Sequence, residues 1–153
     1  MSAQLDNLPR YRRMMAGDLD AVLAIETRIY PHPWTHGNFS DSLAAGYHCL
    51  ILEIGGAIIG YSVVMIAVDD AHLLNLSIAA DWQRRGLGRE LLGHMLKLAR
   101  NEAAGRILLE VRQSNTAAQE LYTSGGFSRV ALRRDYYPAQ PGREDAVVMA
   151  LQL

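Results

Sequence analysis

The spacing of apolar positions changes period several times along this chain, and each change marks an element. Tyr11 to Met14 read as a short first strand, with residues 1–10 as a tail and residues 11–153 as a single domain. From Asp18 onward, Leu19, Val22, Leu23, Ile25 and Ile29 recur at the spacing of one helix face. Pro31 and Pro33 stop that helix. Thr35 is an N-cap residue for a shorter second helix carrying Phe39 and Leu43 four apart. The pattern then turns strand-like over His48 to Glu53 and Ala57 to Val68, with Gly55-Gly56 as the hairpin turn. After a turn at Asp69-Asp70, His72 to Ile78 forms the next strand. A helical stripe follows: Leu87, Leu91, Leu92, Met95, Leu98 and Ala99, with Gly105 as its end. Arg106 to Arg112 is a strand, and Ser114-Asn115-Thr116 caps a helix that Gly125-Gly126 closes. Phe127 to Arg134 and Asp145 to Leu153 are the last strands, joined by a polar loop with Pro138, Pro141 and Gly142. The order β-α-α-β-β-β-α-β-α-β-β predicts an α/β protein, a mixed sheet with helices on both faces.

Composition narrows the class without naming a function. The 153 residues fit one domain, and 15 basic residues against 16 acidic ones are no footprint of a nucleic-acid binder. Cys49 is the single cysteine, so no intrachain disulfide forms, and its apolar neighbours mark it as a small core residue. The N-terminus carries no secretory pattern. The longest apolar stretch, Ala57 to Val68, is interrupted by Gly60 and Ser62 and is far shorter than the ~20 residues that cross a bilayer. A cytoplasmic chain with no membrane and no nucleic-acid partner is expected; the oligomeric state is left open.

Gln83-Arg84-Arg85-Gly86-Leu87-Gly88 lies between a strand and a helix. A helix start offers unpaired N–H groups and partial positive charge, and Gly86 and Gly88 let a phosphate approach the backbone. Arg84, Arg85 and Arg89 add charge, which suits a pyrophosphate. The dinucleotide fingerprint is excluded because position 91 is leucine, and the ATP-type loop because no Gly-Lys-Ser/Thr follows. By itself the loop fits a structural turn equally well.

Glu110 interrupts an apolar strand. A carboxylate there either acts as a general base or pairs with Arg112 on the same strand face. Tyr122 shares a helix face with Ala118, so it is either a core residue or an acid facing a site. His32 and His36 are separated by Pro33, and His48, His72 and His94 lie on separate elements, so no metal site is expected.

The Gln83 to Gly88 stretch resembles the Gln/Arg-x-x-Gly-x-Gly/Ala signature of the GNAT superfamily of N-acetyltransferases, and the order of elements from Tyr11 to Leu153 is similar throughout. The resemblance implies the GNAT fold, a mostly antiparallel sheet of about seven strands. It becomes closer at Leu109 to Asn115, Leu121-Tyr122 and Gly125-Gly126-Phe127. Pro33-Trp34 with Phe39, Arg133 to Pro138, and Gly142 to Ala146 add to it. These look like the RimI type, which acetylates the N-terminal alanine of protein eighteen of the small ribosomal subunit. The resemblance implies Glu110 as base and Tyr122 as acid. It puts acetyl-CoA against Leu76, Ser77 and Ile78, the loop Arg84, Arg85, Gly86, Leu87, Gly88 and Arg89, and Asn115. Members often carry Ala-Val or Val-Ala where this chain has Ser77-Ile78; those contacts use backbone. Trp34, Asp135, Tyr136 and Tyr137 are expected to flank the peptide, with a ribosomal protein N-terminus as substrate. A GNAT enzyme acting on lysine or a small amine, and a non-catalytic acyl-CoA sensor, are the alternatives.

Overall fold

The computed structural model describes residues 8–153. Seven strands form one sheet: β1 (Arg10–Arg13), β2 (His48–Ile54), β3 (Ala57–Ile66), β4 (Asp70–Ile78), β5 (Arg106–Arg112), β6 (Ser128–Pro138) and β7 (Arg143–Gln152). The spatial order is β1-β2-β3-β4-β5-β7-β6, and only the β4–β5 pair is parallel. The helices are α1 (Leu19–Ile29), α2 (His36–Ala44), α3 (Leu87–Asn101) and α4 (Thr116–Ser124). The predicted order of elements is the observed one.

Each sheet face has its own core. On one face Leu87, Leu91, Leu92, Met95 and Ala99 of α3 pack on Leu52, Ile59, Ile107 and Leu109. On the other, Leu19 and Val22 of α1 and Phe39 of α2 pack on Ile51, Tyr61 and Val63. Cys49 lies in this second core, as its neighbours in sequence predict, and burial pushes its thiol up to about 11. Thr35 accepts the Asn38 N–H while Asn38 accepts the Thr35 N–H, a reciprocal cap that starts α2 where expected.

Three boundaries differ from the sequence expectation. Of the expected tail, residues 1–7 lie outside the described residues, and Arg10 already pairs with Glu53 in β1. Helix α3 stops at Asn101, before Gly105; the left-handed residue near its end is Ala103, with φ of 62°, and Gly105 donates its N–H to Asp69 O instead. The polar loop around Pro138 shrinks to residues 139–142 because β6 and β7 run further than expected. β6 is the sheet edge and almost every residue on it is exposed, so the apolar alternation that signals a strand is missing there.

β4 departs from a regular strand in one place. Val63 pairs with Asn75 and Val64 with Leu73, so Leu74 is an extra residue, a β-bulge. On the far side the β4–β5 ladder ends at Leu73 and Leu109, although β4 continues to Ile78 and β5 to Arg112. The two strands part beyond that point and a cleft opens between them.

Gly60 on β3 holds the parted half of β4 in place. It pairs with Ile78, and a Cβ there would meet Ser77 O at 2.9 Å and Ile78 Cδ1 at 2.8 Å. Gly60→Ala is therefore expected to destabilise the domain by about 1–3 kcal/mol, read as a lower denaturation midpoint at unchanged slope.

Candidate active site

The cleft between β4 and β5 has a volume of about 280 Å³. Its walls include Leu73 to Leu76 of β4, Leu109 to Arg112 of β5, and Asn115, Ala118 and Tyr122 around α4. Tyr30, His32 and Trp34, in the segment after α1, and Tyr137 of β6 line it as well.

Alternation decides which β5 side chains face the cleft side of the sheet. Ile107, Leu109 and Val111 are buried in the α3 core, so Glu110 points to the opposite face. There it meets His72 of β4. The parallel register pairs His72 with Leu108, and Glu110 is the next residue of β5 on that face. His72 Nε2 lies 2.5 Å from Glu110 Oε2. Arg133 of β6 reaches Glu110 Oε1 at 3.6 Å. The His72 hydrogen bond holds the Glu110 carboxyl below its ordinary range, against the desolvation of its site and with help from Arg133. Glu110 is thus a carboxylate at neutral pH. The same-face pairing with Arg112 that the sequence left open does not form. Arg112 binds Glu144 Oε1 at 3.1 Å and the Pro138 carbonyl, and its guanidinium covers the Tyr137 ring.

Tyr122 is buried on the inner face of α4, against Phe127, and burial raises its hydroxyl pKa well above the ordinary tyrosine value. It is a protonated phenol at any working pH. Asn115 caps α4 by accepting the Ala118 N–H.

The bulge at Leu74 reverses the alternation of β4 beyond it. Leu76 and Ile78 join the α3 core, while Asn75 and Ser77 turn toward α1. They meet a buried acid on the inner face of α1. Glu26 is 2% exposed; its Oε1 accepts Tyr61 OH at 2.8 Å and Asn75 Nδ2 at 3.1 Å, and its Oε2 accepts the Trp34 N–H at 2.9 Å. Ser77 Oγ donates to Asn75 Oδ1 at 2.6 Å and is bonded to Tyr30 OH at 2.7 Å. One network therefore ties the Tyr30–Trp34 segment to the parted half of β4. Glu26 falls seven residues after Leu19 and four after Val22, the two buried positions of α1, and that spacing was the available signal.

The glycine loop sits at the start of α3. Gln83 donates to Ile78 O, which latches the loop to the end of β4. Arg84 and Gly86 are left-handed, with φ of 63° and 80°. The first helical bond runs from Glu90 N–H to Gly86 O, and no side chain caps the helix, so the N–H groups of Leu87, Gly88 and Arg89 lack helical partners. A Cβ at Gly86 would meet nothing, and one at Gly88 would make ordinary contacts with Leu121 Cδ2 at 3.5 Å and Ile78 Cγ1 at 3.9 Å. Space, amides and the exposed Arg84, Arg85 and Arg89 together suit a diphosphate.

Of the residues expected at the acceptor side, Trp34 and Tyr137 line the cleft. Tyr136 is exposed and packs edge-on against Tyr137, and Asp135 is exposed at a left-handed kink of β6, its N–H bonded to Asp145. Sequence reasoning weighed His72 only as a metal ligand and did not single out Glu26 or Arg133 for the site. Among the described residues no group of three or more His, Cys, Asp and Glu could hold a metal ion, and no helix is long and apolar enough to cross a membrane.

Comparison with known proteins shows the family and the fold. The chain is 38% identical over 136 residues to the ribosomal protein bS18-alanine N-acetyltransferase of Escherichia coli strain K12, covering 89% of this chain and 92% of the relative. The enzyme of the same description from Haemophilus ducreyi is 35% identical over 137 residues, with 89% and 94% covered. The crystal structure of the Escherichia coli enzyme superposes with a TM-score of 0.89 at 36% identity, over 95% of this chain and 94% of that one. A Salmonella typhimurium protein solved with its cofactor acetyl-CoA shares the fold, with a TM-score of 0.78 at 21% identity over 96% and 95%. Residues 19–127 match the model of the acetyltransferase (GNAT) family, and with identity of this extent across nearly the whole length, the chain belongs to that family.

Proposed function

We propose that this chain transfers the acetyl group of acetyl-CoA to the N-terminal α-amine, an alanine, of a small-subunit ribosomal protein in the cytoplasm. The observation that carries the reading is the parted β4–β5 cleft, which has Glu110 and Tyr122 among its lining residues and the Tyr30–Trp34 segment and Tyr137 at its acceptor side. The choice of acceptor is supported by the likeness to the bS18-alanine enzymes over 89% of the chain.

The diphosphate of acetyl-CoA binds the amides at the start of α3, with Arg84, Arg85 and Arg89 around it. Its pantetheine arm follows the β5-facing edge of β4 from Ile78 toward Leu76, where the backbone has no strand partner. Amides on that edge polarise the thioester carbonyl, and such donors are typically worth roughly 10²–10³ in rate. A terminal α-amine has an ordinary pKa of about 7.7–8.0, so a usable fraction is neutral at pH 7. It attacks the thioester carbon directly. The nitrogen becomes more acidic as the C–N bond forms, and Glu110, ionised at this pH, takes its proton through water. The C–S bond breaks and the thiolate takes the Tyr122 proton. Burial keeps Tyr122 protonated, so its proton is in place when the thiolate forms.

The hairpin limits the electrostatic attraction of a basic peptide. Glu144 has both oxygens engaged, by Arg112 and by the Ser114 N–H, and Asp145 holds the Asp135 N–H. Asp135 is the exposed acid of the three, so substrate selection rests more on the Trp34 and Tyr137 contacts than on acidic charge.

Glu110→Gln is expected to lower turnover by roughly 10²–10⁴ with acetyl-CoA affinity unchanged, and Tyr122→Phe to slow the single-turnover rate of a still-folded protein. Stopped-flow coenzyme A release checks both. Gly88→Ala leaves folding intact, because its Cβ makes an ordinary contact, but raises the dissociation constant for coenzyme A about tenfold by blocking the backbone approach. Calorimetric titration reads that change. On synthetic peptides, an N-terminal alanine from the ribosomal target is acetylated while its α-acetylated form with free lysines is not. Equal rates on the lysine side chains would overturn the acceptor.

A further inference from the structure

The mechanism uses Glu110 but leaves its closest polar neighbour without a task. His72 is absent from the residues that line the cleft, yet its Nε2 makes a short contact with Glu110 Oε2. We propose that His72 is a positioning residue for acetyl transfer: its Nε2–H donates to Oε2 and fixes the carboxylate so that Oε1 is the oxygen that accepts the amine's proton. This rests on the reading of Glu110 as the base.

The geometry assigns the roles. A carboxylate accepts only, so the proton in the short contact belongs to the imidazole, which donates. With Oε2 held from β4, rotation about the last side-chain bond of Glu110 is frozen. A base that must meet a water or an amine in one orientation gains from such support. The remaining charged and titratable neighbours are weaker partners. Arg133 of β6 stands 3.6 Å from Oε1, is 57% exposed and lies over the Tyr136 ring, so solvent screens its charge. Tyr137, also on β6, stays a neutral phenol through burial. His72 and Glu110, at 26% and 10% exposure, are better sheltered. The bond also keeps the carboxyl ionised where burial alone would favour its protonated form.

The role is built from the sheet. In the parallel register His72 stands beside Leu108, one alternation from Glu110, and the two strands have not yet parted at that level. The last paired stretch of the two strands thus holds, from His72, a base that stands just past the point where they open for the substrate.

The test uses the full chain labelled with carboxyl-¹³C glutamate, with the Glu110 resonance identified by its loss in Glu110→Gln. In His72→Leu the Glu110 titration is expected to move up by about one pH unit or more. Turnover is expected to fall about tenfold or more, with KM for acetyl-CoA within about twofold. His72→Gln, whose amide reaches the same place, is expected to restore most of the turnover and the low titration point. His72→Asn, too short to reach, is expected to behave as His72→Leu does. His72→Leu or His72→Asn with an unmoved Glu110 titration or wild-type turnover overturns the proposal, and so does a His72→Gln that recovers neither. Failure of the underlying reading is separate: Glu110→Gln would then turn over normally whatever the His72 variants do.

Discussion

An enzyme that joins a long coenzyme to a peptide amine needs a gap in its own backbone hydrogen bonding, and here that gap lies where β4 and β5 part. A sheet resists such a gap, because each unpaired N–H and C=O loses a partner. This chain opens it with one extra residue. Leu74 bulges out of the β3–β4 ladder, bends β4 away from β5, and ends the parallel pairing at Leu73 and Leu109. The β5-facing edge of β4 is then free for a ligand, while its other edge remains paired with β3 up to Ile78.

The bulge also reassigns side chains. Without it, Asn75 and Ser77 would point into the α3 core beside Leu73. With it they turn to α1, where Glu26, Tyr61 and Tyr30 complete their hydrogen bonds. Leu76 and Ile78 take the core side and pack where Gly60 leaves room. The gap therefore stands on a two-sided support: apolar packing on the α3 side, and a buried polar network on the α1 side that also holds the Trp34 N–H. That network couples the Tyr30–Trp34 segment to the parted half of β4, so two walls of the cleft are connected parts of one structure.

Charge is arranged on the same plan. The cations of the glycine loop are exposed and meet no carboxylate among the described residues: Arg85 lies over the Trp82 ring and Arg89 makes a long contact with Ser124 Oγ. Those near the cleft each meet a carboxylate: Arg112 meets Glu144 and Pro138 O, and Arg133 the Glu110 carboxylate and the Tyr136 ring. His72 does the most to keep Glu110 ionised. Tyr122 and Glu110 differ in how their protonation states are kept. Tyr122 holds its proton because it is buried, and Glu110 is held without one because a donor faces it.

Periodicity, turn residues and caps determined the element order, the helix faces and the glycine loop, because each of these depends on neighbours a few residues apart. The Thr35 cap and the α3 stripe needed no tertiary information. The identity of Glu110 and Tyr122 as site residues came from the resemblance of their motifs, since a carboxylate in a strand fits a salt bridge as well as a base. Only the tertiary structure decided the partners of that carboxylate. It paired Arg112 with Glu144 and brought His72 to Glu110 from 38 residues away, through a parallel register that no local pattern encodes. It also extended β6 through a segment too polar to read as a strand, because an edge strand exposes nearly every side chain. The bulge at Leu74 left no trace in a run of leucines. It is one residue of mismatch between two ladders, and a mismatch exists only once both partners are in place.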